Sequence, residues 1–502
     1  MLDTTQPLET LAAIDLGSNS FHMIIARWDG ERFQVVDKLK EMVRLGGGLT
    51  EEGDLTPEAQ QRALETLGRF GERLRGMPEG SVRAVGTNTL RQAKRAVGFL
   101  DLAQAALGHP IEIISGQEEG RIIYAGIANG ITDQREGNRL VVDIGGGSTE
   151  VIVGHDHDVL ACESNYMGCV SFSQRFFPDD VLTRDRFDAA VLAGRQELRA
   201  IEHVYPMLGW SHALGSSGTI RSTQDIILQN GLGPIGLTLD SLYRLRDALV
   251  DAGHVDKVKL DGLSDDRKPV FHGGLAVLIS VFESLGIEEM TVSDCALREG
   301  LIFELAGRVQ RADIRNETIA ELAKRHLVDR AQSTRVERCA MAMFTQLDEP
   351  WELGGEVAAA RLRWACRIHE VGLSIAHSRY HKHGSYIVEN AHLPGFSRQD
   401  QQLLWALVRS HRRRLKPHRF DNQPERNRER SLRLTIILRL AVLLCRGRVD
   451  AAAPETLVVT SKGTHKLHLT FPEGYLDASP LTVADLETER DYLKDAGYKL
   501  RW

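Results

Sequence analysis

Twice along the chain an apolar run breaks at an Asp-x-Gly turn and then resumes. The first instance is LAAIDLGSNSFHMIIA at 11–26 and the second is LVVDIGGGSTEVIVG at 140–154. Each pattern predicts a buried strand, a tight turn of small polar residues and a second strand. Superposed, Asp15 falls on Asp143, Gly17 on Gly145 and Ser20 on Ser148, at an offset of 143 − 15 = 128 residues. A repeat at about the length of a domain predicts a duplicated α/β unit with a cleft between its halves. IEIISGQEEGRIIYAGIA reads as a strand, a Ser-Gly break and a helix, with Ser115 as N-cap and Glu118 three residues on as a capping box. Another strand ends near Gly86, and ALGSSGTIRS at 213–222 is a third small-residue turn before a helix. Beyond about residue 309 the pattern becomes long amphipathic helices, and the last fifty residues alternate like strands. The expected domains are 1–126, 127–308, 309–450 and 451–502.

The turns carry the candidate chemistry. Gly17, Ser18, Asn19 and Ser20 in one, and Gly145, Gly146, Gly147 and Ser148 in the other, leave backbone N–H groups open to an anion. A glycine triplet alone is also an ordinary hairpin, and neither turn has a P-loop or dinucleotide fingerprint. The pairing makes a shared phosphate ligand the better reading. Gly215, Ser216 and Ser217 in the third turn form a further anion-facing loop. Asp143 and Glu150 flank the triplet and would repel a phosphate unless a cation sat between them. Asp143 is therefore the candidate Mg²⁺ ligand, directly or through water, with Asp15 its counterpart; either can instead serve as a turn residue. Glu118 has its capping role, whereas Glu119, turned about 100° around the helix, is free to face the cleft as the base for an attacking water. Glu150 is the second candidate, as water-orienting group or metal partner.

Charge and composition narrow the partners. The 502 residues carry 62 basic and 69 acidic side chains, so the net −7 argues against a nucleic-acid binder. No window nears 18 uninterrupted apolar residues, and MLDTTQPLET lacks a secretory pattern, so a cytoplasmic protein without an integral membrane segment is expected. Six scattered cysteines with no C-x-x-C pair fit reduced thiols.

DLGSNSFHM, GTNTLRQA, EIISGQEEGRIIYAG, DIGGGSTE, MGCVSF, GSSGTI and SDCALREG together resemble the exopolyphosphatase and guanosine pentaphosphate phosphohydrolase family of the actin-like ATPase superfamily. The resemblance covers nearly the whole chain. It implies two actin-like, ribonuclease H-like α/β domains around a cleft, then an all-α HD-like domain and a small C-terminal β-containing module. GTNTLRQA and LPGFSRQDQQLLWALVRSHRR look closer to exopolyphosphatase, which implies Mg²⁺-dependent release of terminal orthophosphate from inorganic polyphosphate. The alternatives are hydrolysis of the guanosine pentaphosphate pppGpp and, from another class, an actin-like ATPase acting as chaperone or scaffold. Matched residue by residue, the family's catalytic glutamate falls on Glu119 and a phosphate-contacting arginine on Arg91; Lys94 and Arg95 read as solvated, and Arg267 and Arg298 as outer groups. The resemblance also implies a homodimer.

The C-terminal third resembles HD-type phosphohydrolases, but His369-Glu370 stands where His-Asp is needed and Val442 where a later Asp belongs. A packing and substrate-holding domain is expected. From 409 to 433 the chain has nine Arg and one Lys against three acids, or 10 − 3 = +7. That excess predicts a polyanion track centred on Arg412, Arg413 and Arg414.

Overall fold

A computed structural model describes all residues except 1–8, 29–32, 51, 94–95, 131–135, 310–312, 422, 424, 450–453 and 455. Lys94 and Arg95 therefore lie outside the described residues. The chain forms two compact units, Met1–Ala312 and Asp313–Trp502.

The first unit is built on two five-stranded sheets. In the first, β1 (Glu9–Leu16), β2 (Phe21–Trp28), β3 (Phe33–Glu41), β4 (Val82–Gly86) and β5 (Ile111–Ile113) lie in the order β3-β2-β1-β4-β5. In the second, β6 (Arg139–Ile144), β7 (Thr149–His155), β8 (Asp158–Asn165), β9 (His212–Ser216) and β10 (Met290–Val292) lie in the order β10-β9-β6-β7-β8. Counted from its own first strand, each sheet reads 3-2-1-4-5. The first three strands are antiparallel and the rest parallel to strand 1. The duplication seen in the hairpins thus extends to whole sheets, the actin-like arrangement.

The central strands β1 and β6 are continuous apolar runs because both of their faces are covered. Ala12, Ile14 and Leu16 enter one core, while Leu11 and Ala13 enter another. Leu140 and Val142 enter a third, but Val141 joins the same core as Leu11 and Ala13. That shared core also takes Ile122, Ile123 and Ile127 from the helix Gly116–Gly130 and Leu301, Ile302 and Leu305 from the helix Leu297–Val309. A common helical layer therefore joins the two sheets and brings the carboxyl ends of β1 and β6 together. In open α/β sheets ligands bind at that end.

The second unit is mainly helical and carries a small sheet, β11 (Val458–Ser461), β12 (Lys466–Thr470) and β13 (Lys499–Arg501), in that order. Its strand residues Val459, Leu467 and Leu500 share one continuous core with Trp351, Leu404 and Ile437 from the helical part. The HD-type positions are occupied by packing groups. His369 is buried and its Nδ1 bonds the Cys366 carbonyl at 2.7 Å, while Glu370 pairs with Arg448. No described helix is long and apolar enough to cross a membrane. All six cysteines are free.

Candidate active site

The turns at 17–20 and 145–148 close in the same way. A Cβ on Gly17 would lie 2.9 Å from the Ser20 carbonyl oxygen, and one on Gly145 3.0 Å from that of Ser148. Any larger residue would open the turn. The two turns also abut: a Cβ on Gly146 would stand 2.9 Å from the Ser18 Cβ. Their carbonyl oxygens are engaged from outside. Arg44 and Gly46 amides donate to Asn19 and Ser18 at 2.7 and 2.8 Å, and Cys169 and Val170 amides donate to Gly145 and Gly146 at 2.9 and 2.8 Å. Oxygens that would repel a phosphate are thus occupied elsewhere. This accounts for MGCVSF, whose helix Cys169–Phe176 begins against the second turn.

A cavity of about 480 Å³ opens over these turns. Asp15, Gly17, Ser18, Asn19, Ser20, Glu119, Asp143, Gly145, Gly146, Ser148 and Ser217 line it, so most of the residues expected from the sequence converge. Gly147, Glu150, Arg91, Gly215 and Ser216 stand behind this wall rather than in it. Glu150 pairs across the sheet with Asp143, is fully buried, and accepts from Ser164 Oγ at 2.7 Å. Burial, and then the Glu119 carboxylate, hold Glu150 well above the usual carboxylate range. Arg91 donates to Glu119 Oε2 at 2.6 Å and to the Ile114 carbonyl at 3.1 Å. Its guanidinium therefore orients the candidate base. The neighbouring Glu118 accepts both arms of Arg121 at 2.8 Å, and its amide donates to Ser115 Oγ at 3.1 Å. One glutamate is thus held in the scaffold while the next faces the cavity.

The two aspartates stand one residue before the ends of their central strands and line the same cavity. Burial, then Glu119, push Asp15 up to about 7, and burial raises Asp143 to about 6 against a hydrogen bond from Ser216 Oγ. Asp15 Oδ1 is buried without a hydrogen-bond partner. Such a pair is short of positive charge at that point.

Opposite Asp15 on β2, His22 forms a relay that sequence reasoning missed. Arg298 Nη1 donates to its Nδ1 at 2.8 Å, and its Nε2 lies 2.7 Å from Ser20 Oγ. Burial, then Arg298, hold the imidazole down at about 3, so it is neutral near pH 7. Arginine can only donate, so Nδ1 accepts and Nε2 carries the proton. The Ser20 oxygen accepts that proton, and its own O–H is left to donate into the cavity.

At the third turn Ser217 takes a left-handed backbone, φ 87°, at the start of the helix Ser217–Gln229. Gly218 follows, and a Cβ there would fall 1.4 Å from the Arg267 guanidinium. The glycine lets that arginine lie on the helix start and reach the cavity. Lys38, Lys40 and Arg221 also line it, making five cations with Arg267 and Arg298. The sequence did hold a signal for the lysines: in FQVVDKLKE they alternate on one face of the edge strand β3.

The two small-residue turns, the aspartates, Glu119 and five cations thus share one cavity of an actin-like fold. Residues 24–309 match the Ppx/GppA phosphatase family and residues 314–490 match Ppx/GppA phosphatase, domain III. The chain belongs to the Ppx/GppA phosphatase family. It is 38% identical to a guanosine-5'-triphosphate,3'-diphosphate pyrophosphatase of Pseudoalteromonas atlantica, over 99% of this chain and 98% of that protein. It is 40% identical to the protein of that name from Vibrio cholerae, over 97% of each. Among solved structures, an exopolyphosphatase from Cytophaga hutchinsonii superposes with TM-score 0.54 and 26% identity, covering 59% of this chain and 98% of that one.

These relatives overturn the expectation of an exopolyphosphatase, because the full-length matches at 37–40% identity carry the pentaphosphate name. The reason is visible in the site. GTNTLRQA places Thr87 and Asn88 in the cavity wall and Arg91 on Glu119, and LPGFSRQDQQLLWALVRSHRR supplies the helix Arg398–Ser410 to the core of the second unit. Both placements are explained by the cavity wall, the hold on Glu119 and core packing, without reference to the substrate.

Proposed function

We propose that the chain hydrolyses guanosine 5'-triphosphate 3'-diphosphate at its terminal phosphoanhydride, giving the tetraphosphate and orthophosphate. The observation carrying this reading is full-length identity of 37–40% to proteins named as guanosine-5'-triphosphate,3'-diphosphate pyrophosphatases. The cleft is consistent with it. A ligand with phosphates on both the 5' and 3' positions has two charged arms, and the cations stand on separate elements: Lys38 and Lys40 on β3, and Arg221, Arg267 and Arg298 from the second half.

In this reading the amides of the two turns and the Ser20 hydroxyl hold the terminal phosphoryl group. Glu119, fixed by Arg91, takes a proton from the attacking water as its oxygen bonds phosphorus and the bridging P–O bond breaks. Mg²⁺ fits Asp15 and Asp143, since a buried oxygen without a partner and two carboxylates raised by burial suit a hard cation. When bound, the ion neutralises phosphoryl charge.

The test is phosphate release from pppGpp, long-chain polyphosphate and ATP compared side by side with Mg²⁺. The highest kcat/KM is expected for pppGpp. A preference for long polyphosphate would end this reading.

A further inference from the structure

The basic stretch at 409–433 does not form one track. Arg428 pairs with Asp421 at 3.0 Å, Arg430 donates to the Glu352 carbonyl at 2.8 Å, and Arg433 donates to that of Trp351 at 2.7 Å. These cations are used in packing. The earlier ones, with Arg379 and Lys382, surround a cavity of about 670 Å³ inside the second unit. Eight cationic side chains line it, and among the described residues no Asp or Glu does.

Such a ring opposes itself. Like charges at short range should splay into water unless something holds them. Two features do. Arg379 and Arg413 both adopt left-handed backbone, φ 57° and 65°, at the rim. For a residue with a Cβ that conformation is strained, and such conformers cluster at binding sites. The loop after Arg409 is also gripped from beneath. Arg439, buried and paired with Glu489 at 2.6 and 2.8 Å, donates to the Ser410 carbonyl at 2.5 Å and to the Arg413 carbonyl at 2.6 Å. Arg412 lies over the Tyr380 ring at 4.5 Å. Arg409 Nη1 is buried without a hydrogen-bond partner. The field is strong enough that Arg379 and Arg409 push Lys382 below its usual range, and burial with Arg409 and Arg439 brings Arg419 down to about 10. The fold thus spends a buried ion pair and backbone strain to keep uncompensated positive charge together.

We infer that this cavity is a second anion site, built on residues other than those that line the catalytic cleft, for a compact ligand carrying two or more linked phosphates. A single orthophosphate would leave most of the ring unpaired. A diphosphate group, inorganic or at one end of a nucleotide, matches the density of forked donors. The inference stands independently of which phosphoanhydride the first unit cuts.

Calorimetric titration of the full chain, free of metal so that nothing is cut, tests it. Inorganic pyrophosphate is expected to fill two sites in the wild type. The triple variant Lys382→Gln/Arg412→Gln/Arg414→Gln should weaken one of them at least tenfold and make it less salt-sensitive. Arg267→Gln should weaken only the other. Without ligand, the triple variant should unfold at the same or a higher temperature, because repulsion is relieved. Hydrogen exchange at 379–383 and 409–416 should slow with pyrophosphate in the wild type alone. Titration with guanosine tetraphosphate distinguishes the sources: equal binding indicates the diphosphate group alone, and tighter binding indicates a nucleotide. A triple variant that keeps both sites, or that unfolds at lower temperature, would overturn the inference.

Discussion

At the scale of single residues, the site is governed by who holds whom. Glu119 faces the cleft because Glu118 is held by Arg121 and because Arg91 fixes the Glu119 carboxylate. Glu119→Gln keeps an oxygen for Arg91 and changes little volume. It should leave the unfolding temperature nearly unchanged and lower kcat by about 10² to 10⁴, measured by phosphate release. Asp15 makes a separate prediction. Its acid is raised from 3.8 to about 7, so between those values the folded chain binds more protons than the unfolded one. Its contribution to stability is therefore full below about pH 4 and lost as pH rises through about 7. Metal-free Asp15→Asn should flatten that slope and be more stable than wild type at pH 8 by roughly 2–4 kcal/mol, since one pKa unit is worth about 1.4 kcal/mol. A thermal unfolding series from pH 4 to 8 decides it. An unchanged slope would mean that another group carries it. At this scale the convergence of Asp15, Asp143, Glu119 and Ser20 on one cavity was legible from two repeated turns and a helix start. His22 was not, because its role depends on Arg298, which lies 276 residues away.

At the scale of elements, repetition carried the information. Two matching hairpins 128 residues apart led to two sheets of matching strand order. The order itself was not readable, because β4 and β5 are short and the crossovers lie between motifs. The third turn shows how an element start can be tuned. Gly218 sits in helical backbone, where alanine is better by about 1 kcal/mol, yet its Cβ would displace the Arg267 guanidinium. That guanidinium is the mobile end of a long side chain, so the cost falls on binding rather than on folding. Gly218→Ala should hold or slightly raise the unfolding temperature while raising KM several-fold with a smaller effect on kcat. If instead the protein loses stability, Arg267 is anchored by the fold and the glycine is a packing residue.

At the scale of the whole molecule, the chemistry was legible and the substrate was not. The two turns are contiguous motifs, whereas the cavity's cations stand at 38, 40, 221, 267 and 298, in separate parts of the sequence. Folding alone brings them to one cavity, which is why the reading by motif leaned to the wrong member of the family. The proposed substrate makes these positions testable. Lys38 and Lys40 lie on an edge strand, on the opposite half from the three arginines, and neither belongs to a turn that holds the terminal phosphoryl group. If they receive the 3'-diphosphate, Lys38→Gln/Lys40→Gln removes two charge-assisted contacts, each worth about 1.5–3 kcal/mol. The loss should appear in KM for pppGpp, by tenfold or more, with kcat little changed because the reacting phosphate is held elsewhere. GTP has the same 5' arm and no 3' phosphates, so its kinetics should barely move. A ratio of pppGpp to GTP kcat/KM that collapses in the double variant assigns the lysines to the second arm. Equal losses on both nucleotides would place them on the 5' chain, and no loss on either would make them solvated edge-strand residues.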